Sequence, residues 1–510
     1  MSKANIFNQI QVKKPQSNWF DLSHDVKLSC NMAELIPVMC IKAMPGDKFN
    51  CSQEALTRLA PMVAPMMHRV DQTFHTFFVP NRILWPNWEK YITNTKLEAT
   101  DLLPVHPYCY ADAANYSRLS DYLGIPTPLG VEREFVSAIP FAVYQMIYNE
   151  YYRDQNMIDP VPFELVDGFN QFDDLGILRT RAWEHDYFTS ALPFAQKGDP
   201  VTIPIAGSVI LDPAVTNVPG HIVNSATHLP VAAGNLSAQG GAGFLQADTT
   251  PEPAVYDPNG TLLVDSANTT INDLRKAYVL QRWLEKSARA GSRYTEQLKV
   301  QFDVRSSDAR LQRPEYITGT KSPIVISEVL QTGESATTPQ GNMAGHGVSV
   351  TEGQYGDFFC EEHGYIMTIM SVMPKTAYQQ GIEKHFLEIG SPLDDYPWPD
   401  FGNIGEQPVE NRELYAFQGD AGKETFGYLP RYAQYKYMPN RVAGDFRTNL
   451  NFWHMGRIFS SPPALTAEFI ECDPTHRVFA VTDPDEQKLW MHVYNKVKAN
   501  RRLPYFGTPS

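Results

Sequence analysis

Positive charge and long apolar runs are scarce in this chain of 510 residues. Its 43 lysines and arginines against 57 aspartates and glutamates give a formal net charge of −14, which is opposite to the balance of a DNA-binding protein. No stretch reaches the roughly 18 apolar residues of a membrane helix, and residues 1–16 lack the apolar segment of a signal peptide. We therefore expect no membrane insertion and no export by a signal of its own.

Residue patterns that carry chemistry are equally rare. The six cysteines form no CxxC pair, so neither a zinc knuckle nor a disulfide framework is indicated. The segment 419–424 resembles a phosphate loop only superficially, because Glu424 stands where a Mg²⁺-binding Ser or Thr is required. Glu362 and His363 are adjacent on a predicted extended chain, so their side chains point to opposite faces. We expect no metal, no cofactor and no catalytic residue.

One alternative remains open in the sequence. Asp394 and Asp395 precede an aromatic stretch that runs from Tyr396 to Phe401. In a carbohydrate-active enzyme such a stretch can be a stacking platform, provided that two acids lie about 5 to 10 Å apart across a groove. A β-sandwich glycan-binding protein or glycan hydrolase is therefore the alternative to a structural protein.

The hydrophobic pattern predicts strands and few helices. Apolar clusters and alternation predict strands at 31–43, 73–79 and 364–374, and bulky residues on both faces of 73–79 predict burial on each side. Residues 488–499 fit either a helix or a strand, and their aromatic and β-branched content favours the strand. Two helices are predicted, one after Pro140 and one from Asn272, as N-cap, to residue 290, on three-and-four apolar spacing.

Long segments without strand or helix patterns divide the chain. Residues 1–30 read as an N-terminal arm that docks by its aromatic residues, and residues 31–510 as one domain. Gly-rich and Pro-rich segments at about 205–271 and at 331–353 read as inserted loops. Because sandwiches tolerate insertions between strands, we predict an antiparallel β-sandwich or barrel.

The strongest basic cluster lies near the C-terminus. Lys496, Lys498, Arg501 and Arg502 fall within seven residues and are candidates to face DNA. A solvated or subunit-contacting tail is the alternative, because four charges against a net −14 bind phosphate weakly.

A dozen short stretches, in order along the chain, resemble the major capsid protein of gokushovirus-type phages of the family Microviridae. They include the stretches FDLSHDV at 20–26, FFVPNR at 77–82, HDYFTSALP at 185–193, AGSRY at 290–294, DARLQRPEY at 308–316, EHGY at 362–365, IGEQ at 404–407 and LPYFGTP at 503–509. The likeness covers nearly the whole chain.

The resemblance implies an all-β fold, an eight-stranded antiparallel jelly-roll β-sandwich of the viral capsid type with long loops and a few short helices. It also implies a virion protein, assembled in the bacterial host cytoplasm into a T=1 icosahedral shell around circular single-stranded DNA. The implied partners are other copies of the chain, a small basic DNA-packaging protein, the genome and a bacterial cell-surface receptor. The insertion at about 205–271 would then be an outward protrusion used for host attachment.

Two sets of site residues follow. Obligate interfaces are rich in aromatic residues with arginine anchors. The subunit-interface candidates are Trp85, Trp88, Arg310, Arg313, Trp398, Phe401, Arg431 and Arg441. The host-contact candidates in the insertion are His228, Asn235, Gln239 and Phe244.

Overall fold

Two compact units make up the chain. The first comprises Met1–Ala195 and Ala290–Ser510, and the second comprises Gln196–Arg289. The computed structural model describes residues 17–93, 102–128, 132–198, 201, 209–211, 223–224, 236–238, 245–247, 254–256, 262–264, 271–290, 294–303, 312–330, 343–483 and 485–506. The division into an arm and one domain with insertions stays a prediction.

Two antiparallel sheets form the framework of the first unit. The larger sheet has seven strands: β1 (Asn18–Asp21), β2 (His24–Cys30), β4 (Lys48–Leu59), β15 (Val325–Leu330), β16 (Met343–Thr351), β17 (Gly356–Phe359) and β21 (Leu489–Arg501). The smaller sheet has four: β3 (Ile36–Ala43), β5 (Val70–Pro80), β14 (Glu315–Pro323) and β18 (Gly364–Pro374).

The remaining strands are short. Two-stranded ribbons pair β6 (Tyr108–Ala111) with β7 (Glu134–Ser137), and β19 (Glu406–Glu410) with β20 (Thr425–Pro430). The described strands of the second unit are β8 (Val209–Leu211), β9 (Val223–Asn224), β10 (Leu236–Ala238), β11 (Leu245–Ala247), β12 (Ala254–Tyr256) and β13 (Leu262–Val264).

Helices are few and mostly short. They are α1 (Trp88–Ile92), α2 (Arg118–Tyr122), α3 (Ile139–Ile147), α4 (Ile271–Ala290), α5 (Tyr294–Phe302), α6 (Pro392–Asp395), α7 (Asn411–Leu414) and α8 (Ala467–Ile470). A π-helical turn, Tyr148–Tyr152, continues α3. Helices are therefore confirmed at both predicted places, but Asn272 is not the N-cap, because α4 already begins at Ile271. The described part of the chain is mainly antiparallel β-sheet.

The smaller sheet is largely buried on both faces, except along its edge strand β14. Along β5, Phe74 and Phe78 belong to apolar clusters shared with β4 and β21 of the larger sheet, so the two sheets pack face to face. Phe77, one position out of phase, lies instead in a cluster with α3. Because side chains alternate along a strand, one sheet can pack against two layers at once. The predicted double-sided burial of 73–79 is confirmed.

The two ends of the chain meet in the larger sheet. Strand β21 lies between β4 on one side and β1 and β2 on the other, in antiparallel register from Trp19 opposite Asn500 to Cys30 opposite Leu489. The strand preferred for 488–499 is therefore confirmed. The second half of the predicted arm differs, because its residues pair in the sheet, and the first strand predicted at 31–43 begins only at Ile36.

The segment predicted as a loop at 331–353 contains a strand. Residues 343–351 form β16, which pairs with β15 and β4. A Cβ on Gly345 would lie 2.6 Å from the Ala64 carbonyl oxygen, and one on Gly347 would lie 2.2 Å from the Leu59 side chain. The glycines that indicated a loop in the sequence therefore allow this strand to pack closely.

Candidate assembly and nucleic-acid surfaces

The first predicted interface residue, Trp85, belongs to the core. It is 1% exposed, its ring centroid lies 5.1 Å from that of Tyr91, and its Nε1 donates to Asp167 Oδ1 at 2.7 Å. An indole with its polar atom bonded inside the subunit has no surface left for a neighbour. The interface prediction for Trp85 is wrong, because its aromatic surroundings come from within the same chain.

Two further candidates are half-buried. Trp88 packs edge-on against the ring of His363, with centroids 5.6 Å apart. The guanidinium of Arg313 lies 6.0 Å from the centre of the Tyr151 ring. Both side chains therefore take part in local packing, and Arg310 lies outside the described residues.

Trp398 lies on an exposed apolar surface. It is 51% exposed, and Phe401 beside it is half-buried. The Tyr435 hydroxyl lies 3.1 Å from Glu388 Oε2 and 2.9 Å from the Asp395 carbonyl oxygen, which brings two chain segments together here. We call the exposed apolar residues of these segments the aromatic surface: Phe386, Ile389, Tyr396, Trp398, Ile404, Phe417, Tyr435, Tyr437 and Met438. A patch of exposed apolar residues marks an interaction site, and the hydrogen bonds of Tyr435 bring part of this set together.

The two remaining arginines lie beside this surface. Arg441 has 68% of its side chain exposed, and its Nη1 lies 3.3 Å from Glu383 Oε1. The guanidinium of Arg431 lies over the ring of Tyr432, 5.2 Å from its centre. Stacking and ion pairing restrict the orientation of these guanidinium groups, as is expected of anchor residues at an interface.

A groove of about 730 Å³ opens next to the aromatic surface. Its polar floor includes Glu413, which is 1% exposed at its side chain, lies 3.0 Å from Lys384 Nζ and accepts a hydrogen bond from the Tyr187 hydroxyl at 2.9 Å. Burial raises the pKa of the Glu413 carboxyl, although Lys384 opposes the shift. No local sequence pattern predicts this groove, because its walls come from segments around residues 187, 380, 415 and 440.

Two of the four residues in the basic cluster near the C-terminus form ion pairs with acids of the same subunit. Lys496 pairs with Glu54, and Arg501 Nε lies 3.3 Å from the buried Asp47 carboxylate. Arg501 also donates to the Lys42 carbonyl oxygen at 2.7 Å. Lys496 and Arg501 are thus engaged inside the subunit, which weakens their predicted role toward DNA.

Lys498 and Arg502 are exposed, and Lys498 stands on the outer face of the larger sheet. Even-numbered side chains of β21 point outward, because its odd-numbered ones fill the core. Trp490 is 41% exposed on this face, opposite Arg58 of β4. The outer face also carries Lys27, Lys48 and Trp19, together with four acids: Asp21, which lies opposite Lys498, and Asp25, Glu54 and Asp357. It therefore combines exposed rings with charges of both signs.

The four host-contact candidates, His228, Asn235, Gln239 and Phe244, lie outside the described residues. In the part of the chain that is described, no group of three or more His, Cys, Asp or Glu side chains is placed to hold a metal ion. Among the described helices, none is long and apolar enough to cross a bilayer.

Comparison with known proteins identifies the family. The model of the family "Capsid protein (F protein)" matches residues 8–510. The chain belongs to this phage capsid protein family. It is 35% identical to capsid protein VP1 of Bdellovibrio phage phiMH2K and 32% identical to VP1 of Chlamydia phage 1, each over 99% of this chain and 97% of the relative. It is 30% identical to VP1 of Spiroplasma virus 4, over 96% of this chain and 94% of the relative.

The resemblance to gokushovirus-type capsid proteins is thereby confirmed. The relatives are structural capsid proteins, so this family member is a major capsid protein of the virion and not an enzyme. The alternative of a glycan-binding or glycan-hydrolysing sandwich finds no support in these relatives.

We expect replacement by alanine to affect stability at Trp85 and assembly at Trp398. We expect Trp85→Ala to lower the free energy of unfolding by about 3 to 5 kcal/mol, because it empties a core site. We expect Trp398→Ala to change it by about 0.5 kcal/mol or less while reducing the yield of particles. Denaturant unfolding of the subunit and sedimentation of assembled material measure the two effects. Equal destabilisation by both variants would contradict this assignment.

Proposed function

We propose that this capsid protein self-assembles into a T=1 icosahedral shell that encloses circular single-stranded DNA and presents a surface loop for host attachment. The observation that carries the proposal is the family match over residues 8–510. The aromatic surface supports it, because a subunit that leaves Trp398 and Phe417 in solvent needs neighbours to cover them.

We also propose that the sandwich is an eight-stranded jelly roll. The support is the way in which eight strands are shared between the sheets: β2, β21, β4 and β16 are successive neighbours in one sheet, and β3, β18, β5 and β14 in the other. Along the chain, β2, β3, β4 and β5 alternate between the two sheets, as do β16, β18 and β21. Such alternation is expected of paired Greek keys, which form the jelly roll of many viral capsids.

The assembly proposal is tested on the expressed full-length chain. Size-exclusion chromatography and negative-stain microscopy are expected to show closed particles of megadalton mass with icosahedral outlines. Correctly folded, concentrated protein that remains a monomer or a small oligomer would overturn the proposal.

The net charge of the chain bears on how the DNA genome is neutralised inside the shell. Subunits of net charge −14 repel DNA, so we propose that a small basic DNA-packaging protein and cations supply most of the neutralisation. The outer face of the larger sheet is the candidate contact with DNA, since Trp490 and Trp19 offer stacking and Lys498 offers charge.

We therefore expect the chain alone to bind single-stranded DNA weakly, with a dissociation constant of roughly 10⁻⁴ M at physiological salt. Lys498→Ala should weaken binding further, whereas Lys498→Arg, the matched control, should change it less because it keeps the positive charge at this position. Fluorescence anisotropy with a labelled oligonucleotide over a salt series measures both. Tight binding by purified subunits, or equal effects of the two variants, would count against this face.

The proposed host-attachment loop lies in the insertion at about 205–271, whose Gly-rich and weakly charged sequence suits an outward position toward a bacterial cell-surface receptor. Particles would form in the cytoplasm of the bacterial host. Deleting residues 231–258 is expected to leave particle yield intact and to lower adsorption to host cells. Loss of particles, or particles with normal adsorption, would argue against the loop.

A further inference from the structure

One exposed phenylalanine is held in a backbone conformation that side chains rarely adopt. Phe417 is 96% exposed and has φ +65°, in the left-handed region. Its neighbours fix this geometry, because the Ala416 N–H donates to the Gln380 carbonyl oxygen at 2.9 Å and the Gln418 side chain donates to the Tyr415 carbonyl oxygen at 2.6 Å. The strained backbone at Phe417 is thus not offset by burial of the Phe417 ring within the subunit. Strain of this kind gathers at functional sites.

Phe417 forms part of the wall of the groove described above, and part of that wall is aromatic and can receive a ring. Phe188 and Tyr378 line it and are almost fully buried, while Phe386, Tyr437 and Met438 are exposed at its margin. Aromatic rings favour edge-to-face contact with other rings, and interface anchors sit in pockets that exclude water. A phenylalanine from outside the subunit would find both conditions here.

The charges on either side of this contact are complementary. The turn that follows Phe417 carries Asp420 and the exposed Glu424 against one cation, Lys423, whose Nζ lies 2.9 Å from Asp420 Oδ1, so the turn is acidic by one charge. The groove is lined by Lys384, Arg441 and Arg447 against Glu383 and Glu413, so it is basic by one charge. Acids beside an inserting ring and arginines beside the receiving groove favour this docking orientation.

We propose that Phe417 of one subunit inserts into the groove of a second copy of this chain, which returns the same contact. The inference rests on the proposed function, since it names one contact of the shell. The ring and the groove are adjacent on one subunit, so an exchange of both between two copies requires a two-fold axis close to Phe417. The partner is therefore another copy, in a self-complementary pair.

The first test compares Phe417→Ala with Leu102→Ala, an 89% exposed apolar side chain elsewhere in the first unit. The Phe417 variant is expected to raise the subunit concentration needed for particle formation at least tenfold, and the control is expected to leave it unchanged. Assembly of Phe417→Ala at the wild-type concentration would overturn the proposal.

A disulfide test locates the contact. Phe417→Cys and Met438→Cys are prepared as separate proteins, mixed and oxidised. Covalent dimers that contain one copy of each variant are expected in the mixture, at a yield well above that of either variant alone. The six native cysteines give the background, which the wild-type chain measures. No mixed dimer above that background would overturn the pairing.

A third variant separates strain from assembly. Phe417→Asn places a residue that tolerates positive φ at this position. The melting temperature of the dissociated subunit is expected to stay equal or to rise, while assembly falls as it does for Phe417→Ala. A lower melting temperature would give Phe417 a role in the fold of the subunit and would overturn the proposal. If the wild-type chain forms no particles, the proposed function fails, and the mixed disulfide then decides on the contact by itself.

Discussion

The burial of the smaller sheet on both faces is the constraint on which the rest of the structure depends. Phe74 and Phe78 face the larger sheet, while Phe77 faces α3, so neither face of β5 can meet solvent or a neighbour. Each such ring contributes about 1.5 to 3 kcal/mol by leaving water. Among the described residues, the outer face of the larger sheet, the partly exposed edge strand β14 and the connections between strands remain to make contacts outside the subunit. The two candidate surfaces lie on the outer face and in the connections.

Some aromatic residues fill the core and others lie on exposed surfaces, and residue type alone does not reveal which is which. Trp85 and Trp398 both stand next to prolines, yet one is sealed in the core and the other is half-exposed. The exposed rings of the aromatic surface lie in the long connection between β18 and β21. A capsid subunit can keep an assembly surface there, because a side chain in a connection can change its contacts without disturbing the sandwich. On the proposed assignment, different residues provide the stability of the subunit and its association with other copies.

Local periodicity was sufficient to predict the strands around 73–79 and 364–374, because alternation is written in consecutive residues. It failed where the reason for a structure lies far along the chain. Gly345 reads as a loop residue until the Ala64 carbonyl is placed against it, and Arg501 reads as a free cation until it meets Asp47. Phe417 carries no signal at all, since both its left-handed conformation and its groove depend on hydrogen bonds and walls from distant segments.

The proposed contact with DNA has to be compatible with the charges on the outer face of the larger sheet. Glu54 pairs with Lys496, and Asp21 stands opposite Lys498, so much of the positive charge of β21 is balanced within the sheet. What remains exposed is Lys498 together with the rings of Trp490 and Trp19, and base stacking on such rings does not depend on net charge. Screening over about 8 Å at physiological salt limits repulsion from more distant acids. A face of this kind can stack the bases of DNA whose phosphates a separate basic protein has already neutralised. By itself it gives the subunit little affinity for DNA.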